Sequence, residues 1–413
     1  MAAERWKLKT GKAVAVIVAL ALGSGVGSAT SYKILRSFNG ADGTGPWGGV
    51  TLDDKGDLFG ASASGGDLNE CDGYGCGVVF ELRPLPGGKW AEAVLYKFDS
   101  NGSDGYTSYG SVTIGSGNRL YGTTHAGGSH HIGTVFELAR GASGWTEKVL
   151  YSFGTRSKDG YEPTAGVAMD KAGNLYGTAP YGGSTAFELS PGSGGWKETM
   201  LHRFGIQKND GAGPFAGVIL DTSGNLYGTT YGGGAYNGGT VYEIERTATG
   251  WKEKVLHSFA VNYKDGHTPG WGSLFMDSSG SLYGTTAGGG CCGGVVFKLT
   301  PDSNGRWKET ILYQFQGGAS GFEPNAGVVM DKAGNLYGTT DYGGNAYCDC
   351  GVIYKLAPGR KGKWTYTVLH TFGIGNDGGV PEGNLVIDGK GNLYGGTVLG
   401  GTYGGGVVFE LTP

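Results

Sequence analysis

The sequence predicts an all-β protein: a seven-bladed β-propeller of four-stranded antiparallel blades, closed by the N-terminal strand pairing in the last blade. Three observations carry this reading. First, a Leu-aromatic-Gly motif recurs seven times, with its aromatic at Phe59, Tyr121, Tyr176, Tyr227, Tyr283, Tyr337 and Tyr394. The spacings are 62, 55, 51, 56, 54 and 57 residues, and a period near 55 built of short β-type segments is a propeller signature. Second, the segments between motifs are short, β-branched or aromatic, and bounded by Gly, Asp or Pro. Third, Tyr32–Phe38 reads as an outermost strand without the other three of its blade, while Val407–Thr412 stops one strand short. Pairing the two completes a seventh blade and removes the open edge.

Each repeat holds four strand candidates, here lettered A to D. Strand A reads like Ala165–Asp170, B like Asn225–Thr230, C like Thr134–Leu138 and D like Trp251–Phe259. A joins B through Asp-x-x-Gly-Asn, as at Asp170–Asn174 and Asp331–Asn335. The Gly supplies a positive φ and the Asp bonds backbone within the turn, so these carboxylates read as structural. The closing strand makes A innermost, and the small Ala-Gly pair at its start suits a crowded axis. Glu81, Glu137, Glu188, Glu243 and Glu410 recur at one position of strand C, with Lys298 and Lys355 in the other two blades. Trp90, Trp145, Trp196, Trp251, Trp307 and Trp364 open strand D. Residues that repeat build the fold, so both sets read as scaffold. His202, His257 and His370 interchange with Tyr in strand D, which argues against metal or acid–base roles.

The repeated Gly-Asn-Leu-Tyr-Gly-Thr-Thr run, intact at 224–230 and 334–340, and the Gly-Thr-Val-Phe-Glu-Leu run at 133–138 resemble the Gloeo/Verruco (GloVer) tandem-repeat family of exported bacterial proteins. The resemblance covers about 45 to 413, in register seven times. It implies export and a repeat-built β-fold. It carries no established activity and no catalytic residues to transfer. Relatives bear varied C-terminal surface anchors; here the sequence ends on a repeat strand, and no such anchor is expected.

Residues 1–29 read as a signal peptide. Arg5, Lys7, Lys9 and Lys12 form a basic stretch, Ala13–Leu22 is apolar, and Gly27 with Ala29 fit a cleavage site. Ten apolar residues are short for a membrane span, which needs about 20. The expected product is one propeller domain over 30–413, secreted or periplasmic, a monomer with no stable membrane span. Its six Cys fall in three clusters, Cys71 with Cys76, Cys291 with Cys292, and Cys348 with Cys350. In an oxidising compartment these are disulfide candidates. Cys71 and Cys76 can close a loop tip; the other two pairs are close in sequence and read either as strained local links or as bridges between neighbouring repeats.

Little else suggests chemistry. The chain holds 87 Gly and 13 Pro in 413 residues, too few Gly for collagen, and its 12% aromatics argue against disorder. A net charge of −4 without a basic stripe argues against a nucleic-acid partner, and none is expected. No serine elbow, phosphate loop or HExxH site is present, and no cofactor is expected. His125, His130 and His131 sit within seven residues of one B–C loop and are weak candidates for a transition metal.

The channel mouth, on the face shared by the D–A and B–C loops, is the most informative place. Asp-Gly recurs there at Asp42, Asp104, Asp159, Asp210, Asp265 and Asp377, again as turn chemistry. The position just before strand A breaks the repeat: Trp47, Tyr109, Thr164, Phe215, Gly270, Asn325 and Glu382, with Trp271 one residue later in the fifth blade. Trp47, Tyr109, Phe215, Trp271, Asn325 and Glu382 therefore read as a candidate ligand-binding ring, against the plainer expectation that the rings plug the channel. Two functions follow. One is an exported binding module for a glycan or protein at this face. The other is a secreted carbohydrate-active hydrolase or lyase with Glu382 as its acid, for which the sequence nominates no second acid.

Overall fold

The computed structural model describes residues 30–413 apart from 157, 262–264, 291–292 and 374. The expected signal peptide lies outside the described residues. Seven four-stranded antiparallel sheets form the propeller. Blade 1 comprises Val50–Leu52, Leu58–Ala61, Val78–Leu85 and Lys89–Lys97 as strands A to D. Blades 2 to 6 repeat the order, and in blade 5 the segment Gly266–Pro269 adds to strand B. In blade 7, strands Val386–Ile387, Leu393–Thr397 and Val407–Thr412 are completed by Ser31–Ser37. That closing strand runs antiparallel to the last, with Tyr32 opposite Leu411 and Ile34 opposite Phe409. Strand A is shorter than its sequence pattern, only two or three residues in every blade. Among the described residues no helix is long and apolar enough to cross a membrane.

Crowding at the axis explains the small residues before strand A. A Cβ on Gly48 would lie 2.3 Å from the backbone of Gly110 and Ser111, and one on Gly272 would lie 1.8 Å from the Gly327 nitrogen. Away from the axis, blades pack through apolar sandwiches. The repeated Tyr of strand B meets the outer Trp of the next blade edge-on, as Tyr121 with Trp196 and Tyr176 with Trp251. The Tyr hydroxyls are tied down as well. Tyr227 donates to the turn carboxylate of Asp221 and to Glu243 of strand C. Where strand C carries Lys instead, the ammonium sits over the ring, as Lys298 over Tyr283 and Lys355 over Tyr337. The turn Asp residues act as expected: Asp170 Oδ1 accepts the Ala172 and Asn174 amides, and its Oδ2 accepts Asn174 Nδ2 and the Tyr176 hydroxyl.

The D–A loop Asp residues do more than turn chemistry. Each faces a strand-D residue of its own side and a strand-D residue of the next blade. The sets are Arg36–Asp42–Glu92, Tyr96–Asp104–Glu147, Tyr151–Asp159–Glu198, His202–Asp210–Glu253 and His257–Asp265–Glu309. Where the loop lacks Asp, Tyr366 replaces Glu and stacks on Tyr313, 4.1 Å between centroids. In the seventh set Tyr32 stacks on His370, which bonds Asp377. The two His-centred sets bring three potential metal ligands within 4.8 Å. Tyr and Arg fill the His position elsewhere in the ring, so the shared task is joining blades.

Cys71 with Cys76 and Cys348 with Cys350 lie in B–C loops just before strand C. Cys71 bonds Cys76, and Cys348 bonds Cys350, which excludes a bridge from the latter pair to the neighbouring repeat. Cys291 and Cys292 lie outside the described residues. Each observed disulfide fixes a carbonyl used by the next blade: Cys76 accepts the Thr107 amide and Cys350 the Val380 amide.

Two predictions follow from this scaffold. Replacing Cys71 and Cys76 by Ser should lower the unfolding free energy by about 2 kcal/mol, the loop-closure value for so short a loop, read by urea titration. The second concerns pH. Burial, then the facing Asp104, pushes the Glu147 carboxyl from 4.5 up to about 8; Glu253 rises to about 7 and Glu198 to about 6, both mainly through burial. A carboxyl raised in the folded state stabilises it most below its unfolded value and loses that contribution as pH climbs through the folded one. The turn carboxylates of Asp170, Asp277 and Asp331 are shifted downward by their hydrogen bonds, against the opposing effect of burial, and favour the fold only above about 4. The melting temperature should therefore peak near pH 5 and fall towards pH 9, and Glu147→Gln should flatten that fall.

Candidate functional site at the channel mouth

The mouth is built by one backbone device repeated around the ring. Gly45, Thr107, Glu162, Gly213, Thr268, Glu323 and Val380, each two residues before the variable rim position, have φ between +50° and +69°. The amide of this residue reaches the preceding blade: Gly45 to Gly405, Thr107 to Cys76, Glu162 to Ile132, Glu323 to Gly293 and Val380 to Cys350. In five blades its carbonyl turns the other way and accepts an amide just past strand B: Gly45 from Ala63, Thr107 from His125, Gly213 from Tyr231, Glu323 from Asp341 and Val380 from Val398. D–A and B–C loops then pair as short ladders, for example Gly160 with Gly182 and Gly211 with Gly233, placing both on one face.

Two variable positions per blade thus converge: the rim residue before strand A and the residue following strand B. They enclose a cavity of about 600 Å³ on the axis. Of the predicted ring, Trp47, Tyr109, Trp271, Asn325 and Glu382 line it. Phe215 does not; its ring sits behind Trp271 at 4.7 Å, wedged also against Tyr181 and Tyr231. His125, Tyr181, Asp341, Tyr342 and Asn384 join the lining without having been singled out for the mouth. The missed signal was the residue or two after the Thr-Thr of strand B, which varies as freely as the rim.

The walls divide by chemistry. Blades 1 to 5 give an aromatic arc in which Trp47, Tyr109, His125, Tyr181, Phe215 and Trp271 meet in sequence, with centroids 4.7 to 6.3 Å apart. Trp271 is 43% and Tyr181 38% exposed, so these two rings leave accessible faces, and the others are half-buried. Blades 6 and 7 give a polar arc. Asn325 Nδ2 donates to Asp341 Oδ2, and Asn384 Oδ1 accepts the Gly327 amide at 2.7 Å. Asp341 is 2% exposed and its Oδ1 has no hydrogen-bond partner. Burial raises its carboxyl well above the usual range, and Glu382 and Glu323 add to the shift. Burial alone pushes Glu382 up to about 7. Opposite them, burial lowers His125 below 6.5, although Glu162 lies 3.7 Å away. His130 and His131 stay exposed at the loop tip, and the three imidazoles form no ligand cluster among the described residues. Strand B ends by directing His125 to the axis, and the loop carries the other two away.

A seven-bladed propeller with an axial cavity is the class this geometry defines. The chain belongs to the Gloeobacter/Verrucomicrobia repeat family, which matches residues 24–186 and 180–409. No curated protein matches it in sequence. Among solved structures it is similar to an ancestral GH74 enzyme, at 12% identity and a TM-score of 0.57, covering 89% of this chain and 48% of that one. It is also similar to a copper-bound fungal alcohol oxidase of the AA5 family, at 12% identity and a TM-score of 0.53, covering 93% and 76%. A gluconolactonase from Xanthomonas campestris superposes more loosely, at 12% identity and a TM-score of 0.42, covering 92% and 89%. At these identities the likeness to the GH74 enzyme and the oxidase concerns the fold alone.

Trp271 tests whether the aromatic arc is a plug. An exposed ring supports little of the core, so Trp271→Ala should cost under about 1 kcal/mol. A buried plug would cost about 3–5 kcal/mol. Chemical denaturation of the two proteins separates these outcomes.

Proposed function

We propose that the protein is an exported binding module that holds its ligand in the mouth cavity. One observation carries this reading: the cavity is walled by side chains that break the repeat, on a scaffold otherwise built from residues that recur. Open aromatic faces suit the apolar faces of sugar rings, while Asn325, Asn384 and the carboxyl groups suit hydroxyl partners. Export is supported by the basic and apolar composition of residues 5–22 and by the two disulfides. A glycan and protein array on the chain without residues 1–29 tests the reading. A glycan that binds wild type and loses about tenfold or more in affinity with Trp271→Ala, as a hot-spot aromatic should, supports it. Retention of full affinity by that variant moves the ligand off the mouth.

The second reading, a carbohydrate-active hydrolase or lyase, is favoured by Asp341. It supplies the second acid that Glu382 lacked in the sequence, in the same cavity and electrostatically coupled to it. A Glu382 carboxyl titrating near 7 is suited to general-acid work. Catalysis predicts release of reducing ends from the array's binding glycan and its loss in Glu382→Gln. Binding without turnover supports the module.

A further inference from the structure

The mouth joins ring faces to uncompensated acid. Asp341 and Glu382 are the carboxyl groups of the lining, and no Lys or Arg accompanies them. The groups acting on Asp341 are Glu382, Glu323 and the Asn325 amide, none of them cationic. Tyr342, beside Asp341, feels the same three acids, and Tyr109 feels Glu382 across the cavity. The lining imidazole, His125, is held towards its neutral form by burial. Asp341 is nearly fully buried, yet its Oδ1 is unpaired and the residue lines the cavity. A buried acid of this kind either keeps its proton or meets a cation.

A metal ion is the weaker candidate. It would want three or more converging ligands, and among the described residues the only clusters of three His, Cys, Asp or Glu within 4.8 Å lie between blades, away from the mouth. An organic ammonium draws on both halves of the wall. Its charge pairs with carboxylates, and its carbon frame and N–H or N–CH groups pack on aromatic faces. We propose that the mouth cavity recognises a protonated amine, seated against Asp341 and Glu382 with the body that carries it lying on Trp271, Tyr342 and Trp47. An amino sugar with a free amine combines that charge with hydroxyls for Asn325 and Asn384. This rests on the mouth being the ligand site.

Binding such a cation ionises the acids, so it releases protons where they are protonated when empty. The amine's own proton is retained. The test uses matched probes differing in charge: β-1,4-linked tetramers of glucosamine, N-acetylglucosamine and glucose, together with benzylamine and benzyl alcohol. Calorimetry at pH 6.5 in two buffers of different ionisation enthalpy should show glucosamine tetramer and benzylamine bound about tenfold or more tighter than their neutral counterparts, the factor of one favourable charge contact, with proton release on binding benzylamine. Affinity for benzylamine, an ammonium throughout this range, should rise from pH 5.5 to 7. Glu382→Gln, whose carboxyl makes no hydrogen bond that the fold needs, should erase the preference and the proton release while the melting temperature holds. Asp341→Asn should do the same if it folds. Equal or tighter binding of the neutral probes overturns the amine assignment and leaves mouth binding standing. Displacement of bound amine by micromolar calcium assigns the acids to a metal instead. If none of the probes binds, the amine proposal falls, and the array result alone decides whether the mouth binds anything.

Discussion

One residue per blade is held in the left-handed conformation ahead of the rim, and in blades 1, 2, 6 and 7 it answers to two blades at once. There its amide is spent on the loop behind it and its carbonyl on the loop of its own blade. Five of the seven positions are not Gly, and Val380 is β-branched. A left-handed non-Gly residue costs on the order of 1–3 kcal/mol, so the paired hydrogen bonds outweigh local preference. Because backbone fixes the geometry, the side chain two residues later emerges at the mouth whatever it is. This is how Trp47, Asn325 and Glu382 occupy equivalent places with nothing in common chemically.

The outer wall solves a different problem with carboxyl groups. Buried Glu of one blade meets buried Asp of the one before, in five of the seven contacts, with Arg, Tyr or His between. Two buried acids side by side are tolerable when one keeps its proton, and the raised Glu147 and Glu253 carboxyls show which one does. Where the Asp is missing, the Glu is missing too, and a pair of stacked Tyr rings, Tyr313 and Tyr366, takes the place of both. The raised carboxyls of the blade contacts and those of the mouth have the same origin: burial of a carboxyl group with too few donors around it.

Most of the fold was legible because it is written seven times. The Leu-Tyr-Gly strand, its Asp turn and the outer Trp declare their roles by recurring, and the orphan strands at 32–38 and 407–412 announce ring closure. The site was half legible for the reverse reason. Only exceptions to the repeat speak, and the exception before strand A was read while the one after strand B was not. Nothing in the sequence sets Asp341 apart; its place comes from the Glu323 carbonyl, which accepts its amide and holds it beside Asn325. Phe215 shares the rim position of Trp47 and Tyr109 but not their place in the lining, because Trp271, one residue out of register, packs over it. The blade-to-blade acid pairs were invisible since the Asp and Glu of each pair lie 39 to 50 residues apart.

The strand Ser31–Ser37 precedes the six blades that follow it and pairs only beyond them. Its partners, from Asp377 to Thr412, come after those blades in sequence, and the Tyr32 hydroxyl reaches the Asp377 carbonyl across 345 residues. Until those partners are made, the strand has no edge to join, and six blades stand as an open arc with apolar sides. Such long-range closure is slow. It also makes the clasp exchangeable: in a crowded solution the strand of one molecule fits the gap of another, and chains that miss their own ending are linked to their neighbours.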